Sequence, residues 1–260
     1  MAESPPRDLP DVGVIITAID ETWSLRETVD TLLRENADAI HEIMIGIAPR
    51  TTPACRAVVA ELESAHPGIV RHHEQRTLPG AGGANRECFP LMHSPWILLM
   101  AADLETDPGT AAEMIERAGD GDVDIVATSR WLGGGRFGDY SPLKRICNWL
   151  FQRMFSALYG VRLTDMTFGY RLYRAPELGR YAWCETGHAF FFEALVTPLR
   201  CGARVAEVRT HWRRRREGTT HMPATEYLRY FRIGLSTRAR PARSLMVAPD
   251  EGSGRCPRRH

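Results

Sequence analysis

The sequence predicts an α/β fold with a mostly parallel central sheet and helices on both faces. Two observations predict it. Short apolar runs alternate with amphipathic stretches over the first half of the chain, which is the pattern of repeated strand–helix units. The run Trp96-Ile97-Leu98-Leu99-Met100-Ala101 is continuously apolar and then breaks into Asp103, Glu105, Asp107 and Pro108. An unbroken apolar run of this length reads as a strand buried on both sides. In open α/β sheets ligands bind beyond the carboxyl ends of the strands, and acidic oxygens placed there suit a hard divalent cation. The same residues also suit an ordinary turn, with Asp107 capping a helix that has Pro108 in its first turn.

The elements follow in order. Residues 12–17 form the first strand, and Thr22 caps a helix to about residue 34. A second strand spans 42–47, a second helix 51–65, and a short third strand 68–72. A glycine loop at 79–83 leads into a helix through Leu91, and the buried strand at 96–101 follows. A helix over 109–118 and a strand over 124–128 close the first part. Beyond Arg130 come the glycines 133–135, a long aromatic helix over 142–159, a strand remnant at 170–173 and a helix over 188–200. A last strand at 205–212 and an amphipathic helix over 224–236 complete the domain. Residues 1–10 and 239–260 are rich in proline, arginine or glycine and read as disordered ends around a domain of residues 11–238.

Composition narrows the function classes. The chain has 260 residues, 43% hydrophobic and 25% charged, enough for a substantial core. A net charge of +1 gives no bulk argument for nucleic acid, and none is expected as partner. Six cysteines without a CxxC pair point to a reducing compartment. With no apolar signal core and no apolar run of bilayer length, a cytoplasmic chain is expected.

Three further features carry chemistry. Gly80-Ala81-Gly82-Gly83 falls after the third strand, not the first, so it suits a helix N-terminus near a phosphate better than a dinucleotide fingerprint. Arg213-Arg214-Arg215-Arg216 suits a diphosphate at least as well as a nucleic-acid backbone. If the run continues a strand, only alternate arginines address one ligand. The segment 142–155 mixes basic residues with large apolar ones, and reads either as a core helix or as one lying at a membrane surface near a lipid phosphate.

Taken in order, several motifs resemble a known family. They are Ser129-Arg130-Trp131, Gly133-Gly134-Gly135, Leu163-Thr164-Asp165-Met166-Thr167-Phe168-Gly169-Tyr170-Arg171, Gly187-His188-Ala189-Phe190 with Glu193, and Arg215-Arg216-Glu217-Gly218-Thr219-Thr220. Together they resemble family 2 glycosyltransferases of the GT-A fold, in particular the polyprenyl-phosphate (dolichol-phosphate) sugar synthases. The resemblance runs from about residue 12 to residue 216.

The resemblance implies an inverting, metal-dependent transfer from a nucleotide-diphospho-sugar to a lipid-phosphate or hydroxyl acceptor. Asp20 and Glu21 match the residues that hold the nucleotide, with Gly82 and Gly83 at a helix start near it. Asp103 and Glu105 match ligands of Mg²⁺ or Mn²⁺. Arg130 and Arg216 match arginines of the diphosphate and acceptor phosphate, and Asp165 and Arg171 match the acceptor segment. Asp165 is the candidate general base for a hydroxyl acceptor, whereas an ionised phosphate needs none. His188 and His211 read as structural.

The chain also departs from the family pattern. Ala101 replaces the first metal-motif aspartate, Ile47-Ala48-Pro49-Arg50 replaces an acidic pair near the base, and Thr220-His221 replaces a final Ser-Lys. Two other readings therefore stand beside the first. One is a GT-A-like nucleotidyltransferase, against which the missing lysine in the glycine loop counts. The other is a nucleotide-sugar-binding protein with impaired catalysis.

Overall fold

The computed structural model describes residues 9–134, 142–215, 217 and 224–247. Seven strands form one sheet: β1 (Val12–Ala18), β2 (Ile40–Ile47), β3 (Val70–Glu74), β4 (Trp96–Ala101), β5 (Ile125–Ser129), β6 (Arg171–Arg174) and β7 (Val205–Arg209). Their order across the sheet is β3-β2-β1-β4-β6-β5-β7. Strands β1 to β4 are parallel, and β5 is parallel to β7. Strand β6 lies antiparallel between β4 and β5. The carboxyl ends of β1, β4, β5 and β7 therefore share one edge of the sheet with the amino end of β6. Order reverses at β1 and β4, and the crevice above such a reversal is where open α/β sheets bind ligands.

Alternation along the central strands builds the two faces of the core. Val14, Ile16, Leu98 and Met100 join one buried cluster, and Ile15, Ile97 and Leu99 join the other. Helices α1 (Trp23–Glu35), α2 (Pro53–Ala65), α3 (Gly80–Cys88) and α4 (Thr110–Gly119) follow the early strands. Thr52 caps α2 by accepting from the Cys55 N–H at 3.2 Å, with Pro53 in the first turn. The later helices are α5 (Pro142–Tyr159), α6 (Ala175–Arg180), α7 (Phe190–Arg200) and α8 (Ala224–Ala239). Phe155 of α5, Phe192 of α7, and Tyr230 and Ile233 of α8 form a third apolar cluster.

Three expectations need correction. Helix α6 was not foreseen, because six residues are too short to show a helical period. Strand β7 ends at Arg209, not at residue 212, and the Arg213 N–H already donates to the Glu105 carbonyl at 3.2 Å. A disordered segment beginning at residue 239 does not hold for residues 239–247. The Ala182 N–H donates to the Leu245 carbonyl at 2.9 Å, the Val247 N–H donates to the Arg180 carbonyl at 3.0 Å, and Leu245 is buried. Residues 1–8 and 248–260 lie outside the described residues.

Candidate active site

The acidic break after β4 forms a tight turn at the ligand-binding edge. Leu104 has φ 55°, a left-handed conformation that costs a non-glycine residue on the order of 1–3 kcal/mol. The Glu105 N–H donates to Asp103 Oδ1 at 3.0 Å and fixes that turn. Both carboxylates then reach one guanidinium. Arg215 Nη2 lies 2.5 Å from Asp103 Oδ2, and Arg215 Nε lies 3.5 Å from Glu105 Oε1. Asp103 is buried, as is Glu21 at the end of β1.

Electrostatics bind these groups together. Burial, reinforced by the charge of Asp103, pushes the Glu105 carboxyl above its usual range, against the pull of Arg215 and the Trp212 indole. Burial also raises the Glu21 carboxyl, opposed by the Ile19 N–H and reinforced by Asp20 and Asp103. Burial works against the Arg215 charge, but Asp103, Glu105 and Glu21 outweigh it and hold its pKa above the usual value. Three carboxylates thus share one arginine as counter-charge.

The segment that supplies Arg215 straps across the sheet edge. Arg213 pairs with Asp107 at 3.1 Å. Glu217 accepts from the Thr22 N–H at 2.9 Å, the Ser24 N–H at 3.2 Å and the Ser24 hydroxyl at 2.7 Å. Helix α1 therefore receives its N-terminal cap from a distant carboxylate, since Thr22 makes no side-chain cap of its own.

Arg130, directly after β5, forms a second cluster at the same edge. It binds Asp165 through Nε–Oδ2 at 2.6 Å and Nη2–Oδ1 at 2.9 Å, and its guanidinium stacks on Phe168 at 4.6 Å. Gln152 of α5 donates to Thr167 Oγ1 at 2.8 Å and accepts from the Met166 N–H at 2.7 Å. Glu207 accepts from the Thr164 and Asp165 N–H groups at 2.7 and 2.8 Å, which pins the turn beneath the pair. Breaking a buried pair of this kind costs about 3–5 kcal/mol.

The structure revises several site assignments. Asp165 is fully buried and both its oxygens are engaged by Arg130, so it positions Arg130 and is not presented as a base. Arg171 is also fully buried. It donates to the Met166 carbonyl at 2.8 Å and to the Phe191 carbonyl, and so holds the segment 166–171 onto α7. Gly82 and Gly83 are packing residues. A Cβ on Gly82 would lie 2.3 Å from Phe190 Cβ, one on Gly83 would lie 2.3 Å from the Leu78 carbonyl oxygen, and the Gly83 N–H is already bonded to Thr186 O at 2.8 Å. Asp20 stands beside Glu21 at the end of β1, half-buried. Arg216 lies outside the described residues.

Sequence reasoning named Arg215 and Glu217 only within longer motifs, with no role of their own, and missed Gln152. The alternation of the arginine run was the available signal: Arg213 and Arg215 both address the acidic turn. His188 was read as structural. It stands at the start of α7, where partial desolvation holds its pKa below the usual histidine value, with Arg215 and Arg50 adding to that effect and Glu226 and Asp103 opposing it.

The residues present fit a divalent cation in charge but supply few ligands. Among the described residues no three His, Cys, Asp or Glu side chains converge as a metal site. Asp103 and Glu105 are the oxygen donors available, and Mg²⁺ commonly takes one or two carboxylates with waters and substrate phosphates. Arg215 now occupies the place opposite both of them.

This sheet order, with an acidic turn after the fourth strand and arginines converging on it, is that of an open α/β fold with a charged ligand-binding edge. The family model described as Glycosyl transferase family 2 matches residues 13–181, and the chain belongs to that family. The undecaprenyl-phosphate mannosyltransferase of Micrococcus luteus is 26% identical over 199 residues, covering 74% of this chain and 81% of that protein. Glycosyltransferase AglD of Haloferax volcanii is 26% identical over 212 residues, covering 78% of this chain, which spans only 33% of AglD. Glucosyl-3-phosphoglycerate synthase from Mycobacterium tuberculosis, solved with Mn²⁺, UDP and phosphoglyceric acid, superposes with a TM-score of 0.67. That match has 13% identity and covers 89% of this chain and 80% of that one, a likeness of fold. No helix among the described residues is long and apolar enough to cross a membrane.

Proposed function

We propose that this glycosyltransferase moves a sugar from a nucleotide-diphospho-sugar to the phosphate of a polyprenyl phosphate, with inversion and with Mg²⁺ or Mn²⁺. The observation that carries the reading is the Asp103-Leu104-Glu105 turn, held against Arg215 where the order of the parallel strands reverses. Asp103 and Glu105 would hold the cation, which when bound supplies Lewis-acid stabilisation of the leaving diphosphate. Arg215 adds fixed positive charge where negative charge develops on the leaving group. Asp20 and Glu21 face the nucleotide from the end of β1.

The second cluster supports this acceptor class. A hydroxyl acceptor needs a base, and Asp165 is committed to Arg130 instead. An acceptor phosphate is already ionised and is matched by a guanidinium that Asp165 and Phe168 hold in place. Its oxygen forms the new bond to the anomeric carbon as the bond to the diphosphate breaks. The electron pair leaves with the nucleoside diphosphate, and no proton moves. The relative from Micrococcus luteus, named for an undecaprenyl phosphate, supports this class. Such an acceptor lies in a bilayer, which places a cytoplasmic chain at the membrane periphery.

The test is transfer of labelled sugar from a panel of sugar nucleotides into polyprenyl phosphate. Chelation abolishes transfer and Mn²⁺ or Mg²⁺ restores it. Asp103→Asn lowers kcat/KM at least about a hundredfold with the thermal unfolding transition retained. Wild-type turnover in Asp103→Asn removes the acidic turn from the reaction. Pyrophosphate release from a nucleoside triphosphate and a sugar phosphate identifies a nucleotidyltransferase instead.

A further inference from the structure

Helices α5 and α8 present an apolar, basic face that no other described residue covers. On α5, Leu143, Ile146, Leu150 and Met154 recur at helical spacing and are all exposed, Leu143 by 70%, with Trp149 exposed beside them. On α8, Leu228, Phe231 and Leu235 form a matching stripe, Leu228 exposed by 73%. The two stripes are one patch. Phe231 packs on the Phe151 and Phe155 rings of α5 at 5.1 and 5.8 Å and remains exposed on its other side. Isolated exposed leucines are common, but a contiguous patch of large apolar side chains marks an interaction surface.

Charge selects the occupant. The two helices carry Lys144, Arg145, Arg153, Arg229, Arg232 and Arg238 against a single acid, Glu226, which pairs with Arg229. Arg153 lies over the Trp149 ring at 5.6 Å, so an aromatic ring and a cation share the border of the patch. A second copy of the chain would set these arginines against one another with almost no acid between them. A phosphate-rich surface satisfies both the charge and the apolar stripes, since amphipathic helices rich in arginine bury their apolar side among lipid headgroups.

The same helix reaches the reaction site from its other side. Gln152 of α5 turns inward to Thr167 and Met166 beneath the Arg130–Asp165 pair. One helix therefore separates the uncovered face from the arginine assigned to the acceptor phosphate.

We propose that α5 and α8 dock this chain on an anionic lipid bilayer, with Leu143, Ile146, Leu150 and Leu228 entering the headgroup region. The inference rests on the polyprenyl-phosphate reading above and names the face that meets the membrane. Co-sedimentation of the full chain with phosphatidylglycerol–phosphatidylcholine vesicles, and with pure phosphatidylcholine vesicles, tests it. The wild type binds the anionic vesicles at least about tenfold more strongly, and added salt weakens the binding. Ile146→Glu/Leu150→Glu lowers binding about tenfold or more while its circular-dichroism melt and its transfer to a water-soluble short-chain acceptor phosphate are unchanged. Failure of the wild type to bind anionic vesicles overturns the proposal, as does unaltered binding by the double variant. A dimer in sedimentation velocity that the double variant dissolves also overturns it, assigning the face to a second copy. Vesicle binding through this face without transfer to any polyprenyl phosphate supports the docking surface and overturns the acceptor class instead.

Discussion

Arg215 carries the largest share of the site's electrostatics at the scale of single residues. It neutralises Asp103 and Glu105, so a cation loading at those carboxylates competes with it. Arg215→Ala is therefore expected to tighten Mn²⁺ binding at least about threefold by calorimetry, because two carboxylates lose their fixed counter-charge. The same variant raises KM for the sugar nucleotide, because the diphosphate loses a guanidinium. Unchanged metal affinity would show that the ion pair does not occupy the cation's place. Asp103 and Glu105 were legible in the sequence because the break from an apolar run into acids is a local signal. The part played by Arg215 was not, because it depends on where the chain leaves β7. The packing role of Gly82 was equally hidden, since Phe190 approaches it from more than a hundred positions further along the chain.

Among the elements, α1 has the most unusual construction, with its first turn completed by Glu217. Glu217→Ala removes those acceptors and is expected to cost about 1 kcal/mol or more in urea unfolding, the range for loss of a helix cap. Glu217→Gln, which keeps one acceptor oxygen, recovers part of it. An unchanged midpoint in the alanine variant would mean that water replaces the cap without loss. Strongly periodic elements were readable from sequence: β4 and α5 have the foreseen bounds. Strand β6 has only four residues, and no sequence pattern sets the direction of so short a strand between two neighbours. The packed stretch beyond α8 was missed for another reason. Leu245-Met246-Val247 is a brief apolar run among arginines and prolines, too short to show a period, and its anchoring shows only in its contacts with residues 180–182.

For the whole molecule, stability should depend on pH through Glu193. This carboxyl is buried on α7 and accepts from the Cys184 and Glu185 N–H groups at 3.0 and 2.8 Å. Burial raises its pKa to about 7, against the pull of those two bonds. The folded state then holds a proton that the unfolded state releases near the ordinary glutamate pKa. Stability therefore falls as pH rises from about 4.5 to about 7 and levels off above that, by at most roughly 3 kcal/mol. Glu193→Gln should flatten this part of the pH profile in denaturant titrations. An identical fall in the variant would assign it to other groups. The strap that crosses the site has a consequence in time as well as in space. Thr22 and Glu217 are 195 residues apart, so at about 5–20 residues per second a ribosome needs on the order of 10–40 s to supply the cap after α1 emerges. Helix α1 thus begins its life with an open first turn. The step that finishes it also brings Arg215 to Asp103, so this edge of the sheet is sealed only when the chain has been made past residue 217.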